Sequence, residues 1–216
     1  MKVVGTNNRV IIVQNGEERI LSNTEDIHGL RIEIKGNNNK IIIHHPSNFS
    51  NSHILIESDS ACVQIGSTPV FYNVLIRIRF GFGQSLSIGD GTTMIGAEIF
   101  INETGKVLIG KECMFSDHIT IWGSDAHAIL DSQTNEILNR PDKGLYIGNH
   151  VWCSQHVKFT KDAHVEDNSV IALGTLVCGH YGEPNVVIGG NPGKIIKRGI
   201  TWSRQNTYQL DTSIQG

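Results

Sequence analysis

Histidine is the side chain best suited to proton transfer at neutral pH, and the chain has ten of them. In its neutral form the imidazole can act as a general base that takes a proton from a poor nucleophile such as a hydroxyl. His127 lies in SDAHAILD, residues 124–131, between Asp125 and Asp131. Either carboxylate could orient its ring by a hydrogen bond, although loop aspartates also form Asx-turns and a backbone carbonyl could orient the ring equally well. His118, in SDHITIW, is the competing base.

A six-residue repeat must position these residues. From residue 147 to residue 177 every sixth residue is apolar, and the fourth residue after each of the first five is small. The apolar column is Ile147, Cys153, Phe159, Val165, Ile171 and Val177, and the small column is Val151, Val157, Ala163, Ser169 and Thr175. Such a unit suits a short strand followed by a tight corner, and three units close one triangular coil. The repeat therefore predicts an all-β solenoid, a parallel β-helix.

The same frame continues upstream, less perfectly. Its apolar positions there are Ile88, Met94, Phe100, Ile109, Phe115 and Ile121. Before residue 80 the strict frame is lost, but Asn-rich corners still lead into β-branched runs, as in GTNNRVII (5–12) and GNNNKIII (36–43). We expect irregular N-terminal coils over residues 1–80.

Two interruptions of the repeat are candidate functional segments, because solenoids carry function on inserted loops. The frame breaks off at Ile121 and resumes at Ile147, so residues 124–144 should leave the coil as a loop that carries His127. The second interruption, residues 179–185, precedes VVIGGNPGKIIKR. We expect one domain over residues 1–216, with the repeat region at 81–198 and a polar tail at 199–216 that forms a helical turn or a subunit contact.

Cysteine usage argues against a metal site and a disulfide framework. Four cysteines, none in a CxxC pair, are scattered along the chain: Cys62, Cys113, Cys153 and Cys178. Cys153 falls in the inward column, where a thiol is poorly nucleophilic, so we expect a core residue rather than a covalent catalyst. His150 and His156 are one repeat apart and should leave the coil on different faces, which prevents both from binding one ion within a subunit.

Composition sets the remaining bounds. The 216 residues, 39% of them hydrophobic, suffice for one continuous core. A net charge of −3 gives no reason to expect nucleic acid or an anionic membrane as a partner, so an anionic ligand must be held by a few local cations. The N-terminus MKVVGTNNRV lacks signal-peptide features, and no apolar run reaches the roughly 18 residues of a membrane helix. We expect a cytoplasmic protein without a membrane span.

Three segments resemble the hexapeptide-repeat acyltransferases. The run IGNHVWCSQHVKFTKDAHVEDNSVIALGTLV (147–177) is similar to their last coils, IGGNPGKIIKR (188–198) to their closing turn, and SDAHAILD to the segment that carries their catalytic histidine. The loop TNEILNRPDKGLYIGNHVW (134–152) is most similar to capsular polysaccharide O-acetyltransferases, notably those acting on sialic-acid-containing capsules. The chain departs from the family pattern at Cys153 and Ser154, where Ile-Gly is usual, and at Gly193, where Ala is usual.

The resemblance implies a left-handed β-helix that works as a homotrimer with its active sites between subunits. It implies direct acetyl transfer from acetyl-CoA, without a metal, to a saccharide hydroxyl, with a sialylated capsular polysaccharide as the expected acceptor. His127 would be the general base, and Asp125 would orient it.

Trp152 should point outwards by the repeat, and exposed indoles need a reason. Its ring could stack on a sugar or line the donor channel, and its backbone N–H could stabilise the developing oxyanion. A subunit interface would explain it as well, and Trp122 shares this ambiguity.

By resemblance, the pantetheine arm of the donor lies in a groove between subunits near the C-terminal coils. Ala172, Gly174 and Gly190 would permit its close approach. Lys194 and Arg198 could hold the nucleotide phosphates, or could be solvated surface cations.

Other functions remain open at this level. An acetyltransferase for a free sugar, a nucleotide sugar or an antibiotic would use the same chemistry. A hydratase of the γ-carbonic-anhydrase type has the same fold but needs clustered ligands, and a non-catalytic trimeric scaffold needs only the repeat.

Overall fold

The computed structural model describes residues 1–22 and 25–214, so the last two residues of the predicted tail lie outside the described residues. The described part consists almost entirely of short strands and ends in one helix. In chain order these are β1 (Lys2–Val4), β2 (Arg9–Gln14), β3 (Glu17–Ile20), β4 (Leu30–Lys35), β5 (Lys40–His44), β6 (Ser47–Ser50), β7 (Ser52–Asp59), β8 (Cys62–Ile65), β9 (Thr68–Phe82), β10 (Ser85–Ile88), β11 (Thr93–Glu103), β12 (Lys106–Ile109), β13 (Met114–Phe115), β14 (Ile119–Trp122), β15 (Leu145–Ile147), β16 (Trp152–Cys153), β17 (Lys158–Phe159), β18 (His164–Val165), β19 (Val170–Ile171), β20 (Leu176–Val177), β21 (His180–Tyr181), β22 (Val186–Gly189), β23 (Lys194–Arg198) and α1 (Thr207–Ile214).

The strands form three faces of a triangular rod. Face 1 contains β6, the first parts of β9 and β11, and then β13, β16, β19 and β22. Face 2 contains β1, β4, β7, the later parts of β9 and β11, and then β14, β17 and β20. Face 3 contains β2, β5, β8, β10, β12, β15, β18 and β21. Every ladder between the strands named in these three faces is parallel, as the repeat predicts.

Apolar side chains of successive coils stack in register inside the rod. Both columns of the C-terminal repeat are completely buried, which confirms the inward frame from residue 147. Ladder partners in these coils are three units apart, for example Ile147 with Val165 and Phe159 with Val177, so three six-residue units do close one coil. Ile121 pairs with Phe159, and the chain between these two is longer than three units. The additional length is the predicted loop.

The upstream frame is wrong at Phe100. Met94 pairs with Phe115, but Ile99 rather than Phe100 pairs with Ile121, so this unit has five residues instead of six. Ile99 is therefore buried, and Phe100 stands on the outside of face 2. Side chains stack according to the strand register, so the short unit is detectable only from the strand pairing in the structure.

The N-terminal coils keep a period of their own, longer than the hexapeptide unit allows. Ile32, Ile54 and Ile76 form one buried column, and the equal steps between them exceed three hexapeptide units. An asparagine ladder supports a corner of these coils, since the buried Asn39 amide donates to the Ser58 carbonyl and the Asn8 side chain accepts from the Asn39 backbone. The Asn-rich corners expected from the sequence are thus part of a regular stack.

Corners of the rod require left-handed backbone conformations, and several histidines occupy them. Corner 1/2, between faces 1 and 2, contains His118 and His156 with φ near 58° and 59°. Corner 3/1 contains His150, with φ 53°. Histidine is among the residues enriched at such φ values. At the start of corner 3/1 a Cβ on Gly110 would meet the carbonyl oxygen of Gly148 at 2.5 Å, which explains why glycine follows the aliphatic residue here.

Both ends of the rod finish with a reversal of the chain. At the N-terminal end β3 pairs antiparallel with β2, and at the C-terminal end β23 pairs antiparallel with β22. Beyond β23 the tail returns over corner 3/1 before α1 begins. No helix in the described residues is long and apolar enough to cross a membrane.

Because the inward side chains stack on one another, truncating one of them should strongly lower the free energy of unfolding. Phe159→Ala removes a completely buried ring, so we expect its free energy of unfolding to fall by about 3–5 kcal/mol. Phe82→Ala removes a ring that is 66% exposed and should change the free energy by less than about 0.5 kcal/mol. Urea denaturation at one fixed protein concentration measures both, and equal midpoints for the two variants would contradict the inward frame.

Candidate active site

The inserted loop leaves the rod at corner 2/3, between β14 and β15, and Asn139 holds its first part together. The Asn139 amide nitrogen donates to the Asp125 carboxylate at 2.8 Å and to the His127 carbonyl at 2.9 Å. Its amide oxygen accepts from the Ile129 backbone N–H at 2.8 Å. One side chain therefore ties the Asp125 carboxylate to the backbone at His127 and Ile129. The sequence analysis missed Asn139, which lies well beyond His127 in the same loop and belongs to no recognisable spacing.

His127 points its imidazole towards solvent. Its side chain is exposed, and within the described residues the ring makes no hydrogen bond. Asp125, expected to orient the ring, instead accepts from Asn139 and lies 3.7 Å from the ammonium group of Lys161. Asp131 accepts from the backbone N–H groups of Gln133 and Thr134, which is the Asx-turn alternative. These bonds to N–H groups lower the pKa of the Asp131 carboxyl.

His118 lies at a different corner from the loop. Its Nδ1 is 2.9 Å from the Asp117 carboxylate, and its ring lies 4.7 Å from the ring of His156. Glu98 and Lys158 line the same shallow cavity on corner 1/2. The two candidate bases are therefore separated by face 2. His150 lies on corner 3/1, away from His156.

Trp152 lies on face 1, in register with Met114 and Val170, and the tail partly covers it. The Trp202 ring is 6.1 Å from the Trp152 ring and stacks on His150 at 4.1 Å and 9°. Trp202 Nε1 donates to the His150 carbonyl at 2.7 Å, whereas Trp152 Nε1 is buried without a partner in the part of the chain described. Sequence reasoning did not anticipate this tail contact.

Arg204 anchors the same tail further down the rod. Its guanidinium donates to the carbonyls of Gly91 and Cys113 and to the hydroxyl of Thr93, all on the edge of face 1. The tail thus contacts its own rod through Trp202 and Arg204, and a subunit contact of the tail stays a prediction. Trp122, the other outward indole, is 40% exposed and stacks on Phe100 at 4.6 Å, directly before the loop begins.

The donor-binding candidates gather at the C-terminal end of the rod. Gly174, φ 71°, has open space around its Cα, and the Gly190 carbonyl, beyond the end of β22, accepts from Leu176 N–H. Ala172 N–H donates to the Ile188 carbonyl at 2.8 Å and is not free for a ligand. Lys194 is exposed, with no ion pair among the described residues.

Arg198 and Gly193 are occupied by contacts within the chain. The Arg198 guanidinium pairs with both carboxylate oxygens of Glu183, at 2.8 and 3.1 Å, which lowers the pKa of that carboxyl. A phosphate would have to share Arg198 with Glu183. A Cβ on Gly193 would come within 2.9 Å of the Tyr181 hydroxyl, which explains glycine where the family more often has alanine.

Comparison with known proteins decides the family. The polysialic acid O-acetyltransferase of Neisseria meningitidis is 31% identical over 185 residues, which are 86% of this chain and 85% of that protein. The chain belongs to the polysialic acid O-acetyltransferase family. It is therefore an O-acetyltransferase of the hexapeptide-repeat class, as the sequence predicts, and not a catalytically silent scaffold.

Two further matches extend the family assignment. A polysialic acid O-acetyltransferase of Escherichia coli O1:K1 / APEC is 28% identical over 129 residues, 59% of this chain but only 41% of that protein. The solved structure of the polysialic acid O-acetyltransferase OatWY has a TM-score of 0.77 and 26% identity, with 99% of this chain and 98% of that one covered. This match confirms the left-handed β-helix of the family. No protein-family model matches the chain.

Two buried thiols of this protein are unsuited to covalent catalysis. Cys153 is fully buried, and burial raises the pKa of its thiol well above the ordinary value. Burial likewise raises the pKa of Cys113 to about 11. At neutral pH both remain neutral thiols, which fits the core assignment of Cys153.

The thiols should separate by accessibility in a labelling experiment. At pH 8 in native buffer, we expect N-ethylmaleimide to modify the exposed Cys178 within minutes and to leave Cys113 and Cys153 unmodified until denaturant is added. Peptide mass spectrometry reads each site separately. Early modification of Cys153 would contradict its place in the core.

Proposed function

We propose that the protein transfers the acetyl group of acetyl-CoA to a hydroxyl of a sialic acid residue in a bacterial capsular polysaccharide. The observation that carries this proposal is the 31% identity to the Neisseria enzyme, which extends over 86% of the chain and so includes both the rod and the loop. We place the reaction in the cytoplasm, since the four cysteines are free thiols, as a reducing compartment keeps them.

In this proposal His127 is the general base. Its exposed imidazole takes the proton of the acceptor hydroxyl as that oxygen attacks the thioester carbonyl. The tetrahedral intermediate then collapses, the carbon–sulfur bond breaks, and the departing thiolate receives the proton from the imidazolium. The products are the acetyl ester and coenzyme A, and the imidazole is neutral again. Asn139 and Asp125 act as positioning residues, because the Asn139 amide joins the Asp125 carboxylate to the His127 carbonyl.

Acetyl-CoA is proposed to lie along the C-terminal coils. Gly174 offers open space for the pantetheine arm, Gly190 lacks a side chain beside the Pro192 carbonyl, and Ala172 adds only a methyl group to that surface. Lys194 and Arg198 would hold the phosphates, Arg198 in competition with Glu183. The partnerless Nε1 of Trp152 supports a place for that indole beside a bound molecule. The repeat region 81–198 would then contain the catalytic machinery and residues 1–80 would extend the rod.

A homotrimer with shared sites would explain two features of one chain. His127 leaves the rod at corner 2/3, whereas Trp152 lies on face 1, and no contact joins them within the described residues. The loop also exposes four aliphatic side chains, which need a covering surface: Ile129 (58% exposed), Leu130 (51%), Ile137 (40%) and Leu138 (61%). A second copy of the chain offers that surface and brings the two residues together.

The base assignment is tested by His127→Gln. With acetyl-CoA and oligosialic acid, we expect kcat to fall about 10²–10⁴-fold while the β-rich circular dichroism spectrum is retained. Release of coenzyme A thiol and mass spectrometry of the acceptor measure the reaction. His28→Gln, an exposed histidine at the N-terminal end of the rod, is the matched control and should keep full activity.

The acceptor panel includes sialylated polymers, free and nucleotide-linked sugars, and serine. If only a free or nucleotide-linked sugar is acetylated, the acceptor is a small molecule and not the polymer. Activity that survives His127→Gln and is lost in His118→Gln would move the base to corner 1/2.

Mixing of inactive variants tests the shared site. His127→Ala and Trp152→Ala chains, unfolded and refolded together in equal amounts, should recover up to about a quarter of wild-type activity, because that fraction of sites pairs an intact His127 with an intact Trp152 from the neighbour. Each variant refolded alone should stay inactive. No recovery in a mixture with the sedimentation mass of a trimer would contradict a site built from these two residues of different chains.

A further inference from the structure

A cavity of about 440 Å³ lies on face 3 beside the root of the loop. Its lining includes Lys143, Tyr146, Lys161, Asp162, His164 and His180. None of these residues has a role in the chemistry described above. The cavity adjoins the point where the loop returns to the rod, because Lys143 and Gly144 are the last residues before β15.

One wall of the cavity is a column of three stacked rings on successive coils. The Tyr146 and His164 rings lie 4.6 Å apart at 29°, and the His164 and His180 rings lie 4.3 Å apart at 44°. Neighbouring rings cover both faces of His164, so the column presents polar edges to the cavity. His164 Nε2 lies 2.8 Å from the Glu166 carboxylate, but the Tyr146 hydroxyl and the His180 ring form no hydrogen bond within the described chain. Burial raises the pKa of Tyr146, so its hydroxyl remains a donor at neutral pH.

Two lysines, Lys143 and Lys161, line the cavity together with the Asp162 carboxylate. Lys143 makes no ion pair in the part of the chain described. Lys161, with 19% of its side chain exposed, lies 3.7 Å from Asp125 and 3.6 Å from Asp162, both beyond good hydrogen-bond distance. A ligand carboxylate at Lys143 would gain a direct charge-assisted hydrogen bond, and one at Lys161 would add a short contact where the present ones are long.

Lys161 connects this cavity to the proposed base. It faces Asp125, whose carboxylate shares the Asn139 amide with the His127 carbonyl. A ligand held by Lys161 therefore lies next to the segment that carries the imidazole. The cavity is close to the loop without including His127 itself.

We propose that this cavity is the acceptor subsite, where Lys143 and Lys161 bind the carboxylate of an acidic sugar residue and the edges of Tyr146 and His180 bind its hydroxyls. The proposal rests on the proposed function and names how that site selects an acidic saccharide. Selective binding of one class of ligand requires a pocket in which a few polar groups point towards the ligand.

The phosphates of the donor are a less suitable occupant. Arginine forks and free backbone amides bind a phosphate at several of its oxygens at once. Here the backbone N–H groups of Lys143 and Gly144 already donate to Asp162, at 3.2 and 3.0 Å, and no arginine lines the cavity among the described residues. The described cavity therefore offers ammonium groups without a guanidinium fork or these two amides, a set of donors that can bind a carboxylate.

Lys143→Gln tests the subsite without disturbing the fold, because only the exposed ammonium group is lost. We expect KM for oligosialic acid to rise about tenfold, with kcat and KM for acetyl-CoA within twofold of wild type. Lys2→Gln, at the far end of the rod, should change nothing. Carboxyl-methylated oligosialic acid should have the same raised KM with wild type and Lys143→Gln. An unchanged KM for the acidic acceptor would overturn the subsite, and a raised KM for acetyl-CoA alone would assign the cavity to the donor.

Cys178 lines the cavity and reports binding without any turnover. In the His127→Gln variant, saturating oligosialic acid should slow N-ethylmaleimide labelling of Cys178 at least fivefold, whereas the methylated oligomer and coenzyme A should not. Protection with no acetylation by the wild-type protein would support the subsite while the proposed reaction failed. Acetylation by the wild type with no protection would leave the reaction intact and overturn the subsite.

Discussion

In-register stacking of inward side chains is the constraint on which the whole molecule depends. A single coil has no core of its own, because its apolar side chains are covered only by those of the coils above and below. Phe159 is buried between Ile121 and Val177, and each of these is buried in turn by its own neighbours. Any residue that breaks this register must leave the rod, and the corners are the places where it can do so. The loop with His127 is the consequence.

The sequence predicts the C-terminal coils best, because there the inward residues recur at a fixed short interval. In the C-terminal coils the strands are very short, so the six-residue frame is visible and the inward columns follow directly. In the N-terminal coils the strands are longer, as in β9, and the longer step from one coil to the next hides the frame. Phe100 shows the same limit, since a unit one residue short moves the inward position to Ile99, and only the strand pairing shows this shift.

The site could be predicted less completely. The position of His127 on an expelled loop follows from the interrupted repeat and the resemblance. Asn139 and Trp202 could not be anticipated, because Asn139 acts across the width of the loop and Trp202 acts on His150, which is far from it in the chain. Other histidines are explained by the backbone: His118, His150 and His156 adopt the left-handed conformation that the corners demand. A histidine in this fold is therefore as much a turn residue as a candidate base, and the loop is what distinguishes His127.

The antiparallel strands at the two ends bear on how the molecule behaves in a crowded cell. A stack of parallel coils offers at each end a template onto which the coil of another molecule could add, and repeated addition would produce a fibre. On face 3 at the first coil and on face 1 at the last, β3 and β23 run against the direction that such an addition requires. These reversals interrupt the template at one face of each end, so that the rod keeps a finite length.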